Sequence, residues 1–451
     1  MQTEAEVEIY LEEIAKSGSI LGLESMQGLM EELGNVHRYL KYVHVAGTNG
    51  KGSVCAMVAS ILQQAGIRVG KYTSPAVFDR MEQYQVNGRN ITVGEFVQVI
   101  SEVKEACNCL IAKGRRQPTV FEVETAAAFL YFYQQKCQVV VLETGMGGMG
   151  DATNIIESPL VSVLTSISMD HMKFLGNDLQ QIARSKAGII KEGCKVVAVK
   201  PEQEAVRRVI EEICCRKHAS LTYSSAQKAS HLRYCQSREE LRQCFRYHCE
   251  QTERTGTSLE DCLPENDMEI ELSMMGDYQI ENAVCAIETA KTLRNMGISI
   301  SDEQIRSGIS QARWEGRFSV LCGNPLVVMD GAHNAAAAKK LGETLKRGFT
   351  NWQIIYIIGV LADKEHEEML RIMLPLAQQV FTVTPGNSRA MDGQALAAEA
   401  RKYHEHVSHC PTVKEAVQKA LSVAGGEKSM VLAFGSLSYL RELREALKEI
   451  L

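Results

Sequence analysis

Seven residues near the start of the chain, Gly47-Thr48-Asn49-Gly50-Lys51-Gly52-Ser53, have the composition of a loop that wraps phosphate. Backbone N–H groups of a Gly-rich turn can surround phosphate oxygens, and a helix that follows adds the positive end of its dipole. Lys51 would set an ammonium against the β- and γ-phosphates of a nucleotide, and Ser53 a hydroxyl against Mg²⁺. The spelling departs from the common G-x-x-x-x-G-K-[ST], because Gly52 separates Lys51 from Ser53 and Gly47 stands close before Gly50. A Gly-rich structural turn is the plain alternative. The apolar run before the loop and the helical run after it favour phosphate.

Other residues could add chemistry. Glu143 ends the apolar run Val139–Leu142 and is followed by Gly145-Met146-Gly147-Gly148. A carboxylate at a strand end beside a phosphate loop suits a metal ion, and an exposed turn residue is the alternative. Asp170-His171 follows the run Val161–Thr165. Mg²⁺ prefers oxygen, so on its own His171 reads as structural. Lys186 lies in a helical stretch and by composition alone belongs to a solvated face. Farther on, Asp330-Gly331-Ala332-His333-Asn334 follows a second apolar run. A strand-end Asp and His beside a helix start suit a polar ligand, while helix capping by Asn334 is the plain reading.

These residues need elements to hold them. Tyr42–Ala46, Arg68–Tyr72, Val139–Leu142, Leu160–Thr165 and Lys195–Val199 read as short buried strands, with Val54–Ala65 a helix after the first. The alternation predicts βαβ units and a mainly parallel sheet, with ligands at the carboxyl ends of its strands. Met1–Ile14 reads as an amphipathic helix, Gly276–Met296 as a helix, and Ser301–Ala312 as another with Ser301 its N-cap. Ser224–Asp267 is polar and reads as irregular excursions with short strands. From Pro325 the alternation restarts: strands at Pro325–Met329, Trp352–Gly359, Val380–Val383 and Met430–Phe434, and helices at Ala335–Lys346, Lys364–Leu374, Gly393–Tyr403 and Val413–Val423. The fold class is therefore α/β. A P-loop-type ATPase domain with a mainly parallel sheet is expected over 1–312, and a smaller Rossmann-like α/β domain over 313–451.

Bulk properties agree. A chain of 451 residues is too long for one ordinary core. Charged residues make up 23% and the net charge is −6, with no Lys/Arg block. That argues against a nucleic-acid or membrane-surface binder. The acidic N-terminus lacks the pattern of an export signal, and no run of about 18 apolar residues occurs. A cytoplasmic protein is expected. Its 14 cysteines would then be thiols. Cys235, Cys244, Cys249 and Cys262, with His248, could suggest zinc, but their spacing fits no common zinc pattern and scattered thiols are the better reading.

Taken together, the motifs resemble the Mur ligase superfamily, and within it the folylpolyglutamate synthase/dihydrofolate synthase family. The segments that carry the resemblance are HVAGTNGKGS from His44, TSP from Thr73, PTVFEVETAAAFLYF from Pro118, ETGMGGMGDATN from Glu143 and SMDHMKFLG from Ser168. They continue with IARSKAGIIKEG from Ile182, ENAVCAIETA from Glu281, RWEGRF from Arg313, DGAHN from Asp330, GVLADKE from Gly359 and FGSLSYL from Phe434. Their order and spacing cover nearly the whole chain.

The resemblance implies an ATP-dependent ligase that phosphorylates a folate carboxylate and joins it to L-glutamate, with dihydropteroate as a further acceptor. A Mur-type ligase acting on a UDP-muramyl precursor is the alternative, and the PTVFEVETAAAFLYF and DGAHN segments favour the folate reading. Asn49, Gly50, Lys51, Gly52 and Ser53 match the family's ATP phosphate loop. Ser74, Glu143 and His171, with Ser53, match magnesium ligands for two Mg²⁺ sites, and Lys51, His171 and Lys186 match catalytic positions. Lys186 matches a lysine carried as a carbamate. Asn282, Arg317 and Asp330 match nucleotide contacts reaching across the domain interface. Thr119, Phe121, Glu122, Gly150, Asp151 and Ala152 match the pterin-side pocket, and His333 and Ser436 fall in segments near glutamate or nucleotide. Small molecules acting on a monomer are expected. Met149-Gly150 replaces an Arg-Leu pair frequent in the family, Ser185 a usual Glu, and Ala76 a frequent His.

Overall fold

The computed structural model describes residues 1–16, 18, 22–170, 172–236, 241–249, 267–362, 366–426 and 428–450. It divides into two compact units. The first comprises Met1–Ser230, Tyr247–Ile270 and Glu281–Ala312; the second comprises His231–Arg246, Glu271–Ile280 and Arg313–Leu451. Among the described residues, no helix is long and apolar enough to cross a membrane.

The first unit is built on an eight-stranded sheet. Its strands are β1 (Tyr42–Ala46), β2 (Val69–Tyr72), β3 (Tyr84–Val86), β4 (Arg89–Asn90), β5 (Val139–Glu143), β6 (Val161–Leu164), β7 (Lys195–Val199) and β8 (Ser220–Ser224). Their order is β4-β3-β2-β5-β1-β6-β7-β8. The strands from β2 to β8 pair in parallel, and β3 and β4 add an antiparallel edge. Every residue of β1, β5 and β6 is buried. Covered faces on both sides explain why these strands read as unbroken apolar runs.

One cover is a cluster around helices Glu4–Ala15, Val93–Ala112 and Val120–Gln134, with Phe96, Phe129 and Phe132 at its centre. Ile182, Ile189, Val209 and Ile210 belong to another cluster, formed with helices Leu179–Lys186 and Glu204–Arg216. Helix Lys51–Gln64 follows β1 directly and packs on helix Asp302–Gln311, where Gly308 lies against the Ile61 backbone. Ser301 caps the latter helix in a reciprocal box with Gln304.

The stretch expected as irregular excursions with short strands contributes two strands of a three-stranded sheet. Its strands are β9 (Ala229–Gln236), β10 (Leu241–Tyr247) and β11 (Met268–Leu272), in the order β11-β10-β9. β11 alternates buried and exposed residues over Met-Glu-Ile-Glu-Leu, as a half-covered strand should.

The second unit carries a six-stranded sheet: β12 (Ser319–Gly323), β13 (Leu326–Met329), β14 (Gln353–Ile358), β15 (Gln379–Thr382), β16 (Val407–His409) and β17 (Ser429–Phe434). The order is β12-β13-β17-β14-β15-β16, parallel except for β12. β17, last in the chain, lies between β13 and β14, so their carboxyl ends form a switch-point crevice. Leu341, Tyr356, Leu370, Leu432 and Phe434 belong to its core.

Candidate functional site

In the first unit, four neighbouring parallel strands, β2-β5-β1-β6, end on one rim. β2 leads into Thr73 and Ser74, β5 ends on Glu143, β1 opens into Gly47–Ser53, and β6 leads into Thr165–Ser168. Sequence positions spread over more than a hundred residues are gathered by strand order alone.

The Gly47–Ser53 loop is held from both ends. The Thr48 amide donates to the Ser166 carbonyl (2.8 Å), and the Thr48 hydroxyl donates to the Ser168 carbonyl (3.0 Å) while accepting from the Ser168 amide (3.1 Å). Ser166 Oγ donates to the Asn49 carbonyl (3.3 Å). Gly50 sits at the helix N-cap with φ +87° and no side-chain cap, which leaves first-turn N–H groups for an anion. A Cβ there would lie 2.3 Å from Asn282 Oδ1, so the buried Asn282 amide is pressed against the loop. Lys51 Nζ donates to the Thr48 carbonyl (3.4 Å) and lies 3.8 Å from the buried Glu143 carboxylate. Ser53 is buried in the first turn of the helix.

Lys186 is not on a solvated face. It is the last residue of helix Leu179–Lys186, is buried, and donates from Nζ to the Gly47 carbonyl (2.8 Å). Burial, reinforced by the positive charge of Lys51, pushes its ammonium down to about 7. The glycines after Glu143 explain how the helix end comes so close. A Cβ on Gly148 would fall 2.7 Å from the Lys186 carbonyl oxygen, and the Met149 amide donates to the Ser185 carbonyl (2.8 Å).

The residues matched to the pterin-side pocket divide into two kinds. Phe121 presents its ring to Gly145, where a Cβ would meet it at 2.5 Å. Thr119 and Glu122 are buried in a reciprocal capping box at the start of helix Val120–Gln134: the Glu122 carboxylate accepts from the Thr119 amide (2.7 Å), and Thr119 Oγ accepts from the Glu122 amide (3.3 Å). Asp151 is also buried. One oxygen accepts from the Met146 amide (2.7 Å), the other from the Thr153 amide (3.0 Å) and hydroxyl (2.6 Å). Ala152 is buried beside it, and the Gly150 carbonyl accepts from the Gly22 amide (3.1 Å). Burial raises the Asp151 pKa, and its hydrogen bonds oppose that rise.

Magnesium can be tested against these donors. The buried hydroxyl oxygen of Ser74 has no hydrogen-bond partner among the described residues. Glu143 supplies a buried carboxylate and Ser53 a buried hydroxyl. An orphaned oxygen on the rim with a buried carboxylate is the hard-oxygen environment Mg²⁺ takes, so the residues present fit the ion. His171 lies outside the described residues.

The second unit has its own cluster. Asp330 follows β13 and is buried. One of its oxygens accepts from the Tyr278 hydroxyl (2.9 Å) and the Phe318 amide (2.8 Å), the other from the Ala332 amide (2.7 Å). Burial raises its pKa, and the Arg317 guanidinium is the largest opposing influence. Arg317 Nη1 occupies the place a side chain on Gly331 would take, 1.7 Å from its ideal Cβ. His333 Nδ1 lies 2.8 Å from the Gly331 carbonyl. A carbonyl only accepts, so Nδ1 carries a proton. After β17, Gly435 has φ +110° and passes 2.6 Å (ideal Cβ) from the Gly359 carbonyl. Ser436 Oγ accepts from the Ser438 amide (3.2 Å), capping a short turn. Arg317 also lines a cavity of about 360 Å³ with Arg313, Trp314, Phe318, Met329 and Arg444.

The cluster weighed for zinc is described only in part. Both nitrogens of His248 are engaged, Nε2 with Ser230 Oγ (2.6 Å) and Nδ1 with Asp267 (2.7 Å). Cys244 and Cys249 form no disulfide, and among the described residues no three or more His, Cys, Asp or Glu side chains cluster as a metal site. Cys262 lies outside the described residues.

Some contacts behind the rim carry no signal in a single sequence. His44 and Thr153 sit 109 positions apart yet hydrogen-bond directly (2.9 Å). Lys71, inside a strand, is buried beside Cys55 and Glu143, and burial pushes it down to about 8. The Thr119–Glu122 box did have a signal, the T-x-x-E spelling ahead of an apolar run.

Known proteins carry the same pattern. Residues 45–290 match the Mur ligase middle domain, and residues 316–437 the Mur ligase glutamate ligase domain. A dihydrofolate synthase/folylpolyglutamate synthase of Bacillus subtilis is 35% identical over 96% of each chain. The folylpolyglutamate synthase of Mycobacterium tuberculosis complexed with ADP superposes with a TM-score of 0.84 at 26% identity, covering 99% of this chain and 98% of that one. Escherichia coli FolC in complex with DHPP and ADP superposes with a TM-score of 0.79 at 27% identity over 98% of each. The chain therefore belongs to the Mur ligase family, with the folylpolyglutamate and dihydrofolate synthases.

Proposed function

We propose that this chain is an ATP-dependent ligase that joins L-glutamate to a folate carboxylate through an acyl phosphate, with dihydropteroate as a further acceptor. The observation that carries the reading is the rim of β2-β5-β1-β6, where the phosphate loop, Glu143 and Ser74 meet and Lys186 reaches Gly47. Relatives named for both activities support the two acceptors.

A carboxylate is a poor electrophile because no good leaving group departs from it. An oxygen of the folate carboxylate attacks the γ-phosphorus of ATP, and ADP departs. The glutamate amine then attacks the acyl carbon, phosphate leaves, and an amide remains. The loop amides from Gly50 onward and Lys51 hold the phosphates and offset charge on the phosphoryl group in flight. Ser53, Ser74 and Glu143, joined by His171 in the family pattern, would hold Mg²⁺, which when bound neutralises phosphate charge. Phe121 lies on the acceptor side, its ring over Gly145. In the second unit, Arg317 and Asp330 are assigned to nucleotide and His333 and Ser436 to glutamate or nucleotide, at the ends of β13 and β17.

Lys186 is assigned a carbamate. An amine must be neutral to take up CO₂, and a lysine shifted to about 7 is substantially neutral at physiological pH. Uptake of CO₂ by the neutral amine would form the N–C bond, release a proton and leave an anion beside Lys51, while the remaining N–H still donates to Gly47.

The test is Lys51→Ala. Ligation is expected to be lost with the thermal transition retained, since Lys51 is not part of a packed core. Near-normal turnover would remove the loop from the mechanism.

A further inference from the structure

A buried hydrogen-bond chain joins the phosphate-loop strand to the loop after Glu143. His44 lies in the middle of β1 and is fully buried. Its Nε2 is 2.9 Å from Thr153 Oγ. The Thr153 hydroxyl is 2.6 Å from Asp151, whose other oxygen accepts from the Met146 amide.

The direction of each bond follows from the donors available. Both oxygens of Asp151 receive backbone N–H groups, so the carboxylate accepts throughout. Thr153 has one hydroxyl proton and gives it to Asp151. Its oxygen must then accept from His44, which places the ring proton on Nε2. His44 Nδ1 has no hydrogen-bond partner among the described residues, which agrees with a neutral ring. Burial pushes the ring down to about 3, so this protonation state holds at any working pH.

The consequence lies at the end of the chain. Met146 belongs to the turn Gly145-Met146-Gly147-Gly148, and that turn touches Phe121 through Gly145 and the end of the Lys186 helix through Gly148. A turn of three glycines and one methionine has little of its own to hold its shape. We propose that His44 and Thr153 are positioning residues for the acceptor: through Asp151 they fix the Gly145–Gly148 turn in register with the phosphate loop carried by β1. Their role is distinct from catalysis, since neither is placed against reacting atoms. The proposal rests on the folate-ligase reading above.

Two isosteric pairs test it. Thr153→Val keeps the shape and removes the hydroxyl, whereas Thr153→Ser keeps the hydroxyl and removes the methyl group. The KM for tetrahydrofolate is expected to rise by about tenfold or more in Thr153→Val, the loss typical of one charge-assisted hydrogen bond. The KM for ATP should stay within about twofold, because the Thr48–Ser168 contacts hold the phosphate loop independently. Thr153→Ser should restore the wild-type value. If Thr153→Val does not fold, His44→Gln and His44→Leu pose the same question, with Gln retaining a donor near Nε2 and Leu lacking one. Equal effects of Val and Ser, equal shifts in both KM values, or no shift in either would overturn the proposal.

Hydrogen exchange separates this idea from the functional reading. The Met146 amide should exchange faster in Thr153→Val than in wild type, whatever the enzyme acts on. Unchanged exchange sinks the positioning chain even in an active ligase. Faster exchange in Thr153→Val, alongside a wild-type protein that ligates no folate, would sink the functional reading and leave the chain standing as a structural device.

Discussion

The Lys186 ammonium donates to the carbonyl of Gly47, the first residue of the phosphate loop, at 2.8 Å. A buried cation on one helix end is thereby tied to the strand end where the loop begins. The same group is held off its ordinary pKa by that burial and by Lys51.

Replacing Lys186 by Ala should cut ligation at least a hundredfold, the scale seen when an electrostatic group in a catalytic site is removed. If the lysine works as a carbamate, acetate or formate added to the variant should restore part of the rate. Enrichment with ¹³C-bicarbonate should give a carbamate carbon resonance in wild type that is missing from the variant. Full activity in Lys186→Ala would remove the assignment.

The pKa of Lys186 also makes a stability prediction. The group titrates near 7 when folded against an ordinary value of 10.5. Between those values the unfolded chain binds more protons than the folded one, so stability rises with pH across that window. The rise is absent in Lys186→Met. Denaturant unfolding in CO₂-depleted buffer should show wild type gaining on the variant by up to about 1.4 kcal/mol per pH unit from pH 7 upward. A difference that stays flat from pH 7 to about 9 would mean the ammonium is not destabilised in the fold.

Gly50 should tolerate no side chain. Its φ of +87° disfavours an L-residue, and a Cβ would strike Asn282 at 2.3 Å. Gly50→Ala is expected to cost roughly 1–3 kcal/mol of stability. It should also raise the KM for ATP by displacing the Asn282 amide. A variant with unchanged melting temperature and unchanged KM would show that the loop relaxes freely.

Gly331→Ala probes the second unit. The new methyl would overlap Arg317 Nη1, whose long side chain can swing aside, so stability should change by under about 1 kcal/mol. The guanidinium would leave its place beside Asp330, and the KM for ATP should rise several-fold with the protein fully folded. No change in any kinetic constant would argue that Arg317 does not serve the nucleotide.

Much of the framework could be read from the chain because buried parallel strands are continuous apolar runs. Tyr42–Ala46 and Lys195–Val199 agree with the structure residue for residue, as does helix Val413–Val423. The helix after the phosphate loop begins at Lys51 rather than Val54, since its first turn is glycine-rich and lacks an apolar stripe. The β9–β11 sheet is legible only as short strands in a polar stretch, because half-covered strands leave a weak apolar pattern and their pairing is set by the fold. β12 and β16 are short and mostly not buried, so they leave little pattern, whereas the closing helix Leu440–Ile450 carries a clear apolar stripe at Leu440, Leu443 and Leu447.

At the site, the loop and Glu143 announce themselves through glycine spacing and strand ends. Lys186 does not: composition assigns a helical lysine to solvent, and only tertiary packing buries it. His333 and Asn334 show the opposite case. Asn334 is the cap of helix Ala335–Gly348, as its type suggested, while the proton position on His333 depends on a carbonyl that only the fold supplies.

The most direct test is an assay of the purified chain with ATP, Mg²⁺, L-glutamate and either tetrahydrofolate or dihydropteroate, following ADP release and the mass of the acceptor. The account predicts one ADP released for each glutamate joined, with both acceptors gaining one glutamyl residue. Turnover with a UDP-muramyl acceptor, and none with any pteroate or folate, would contradict it.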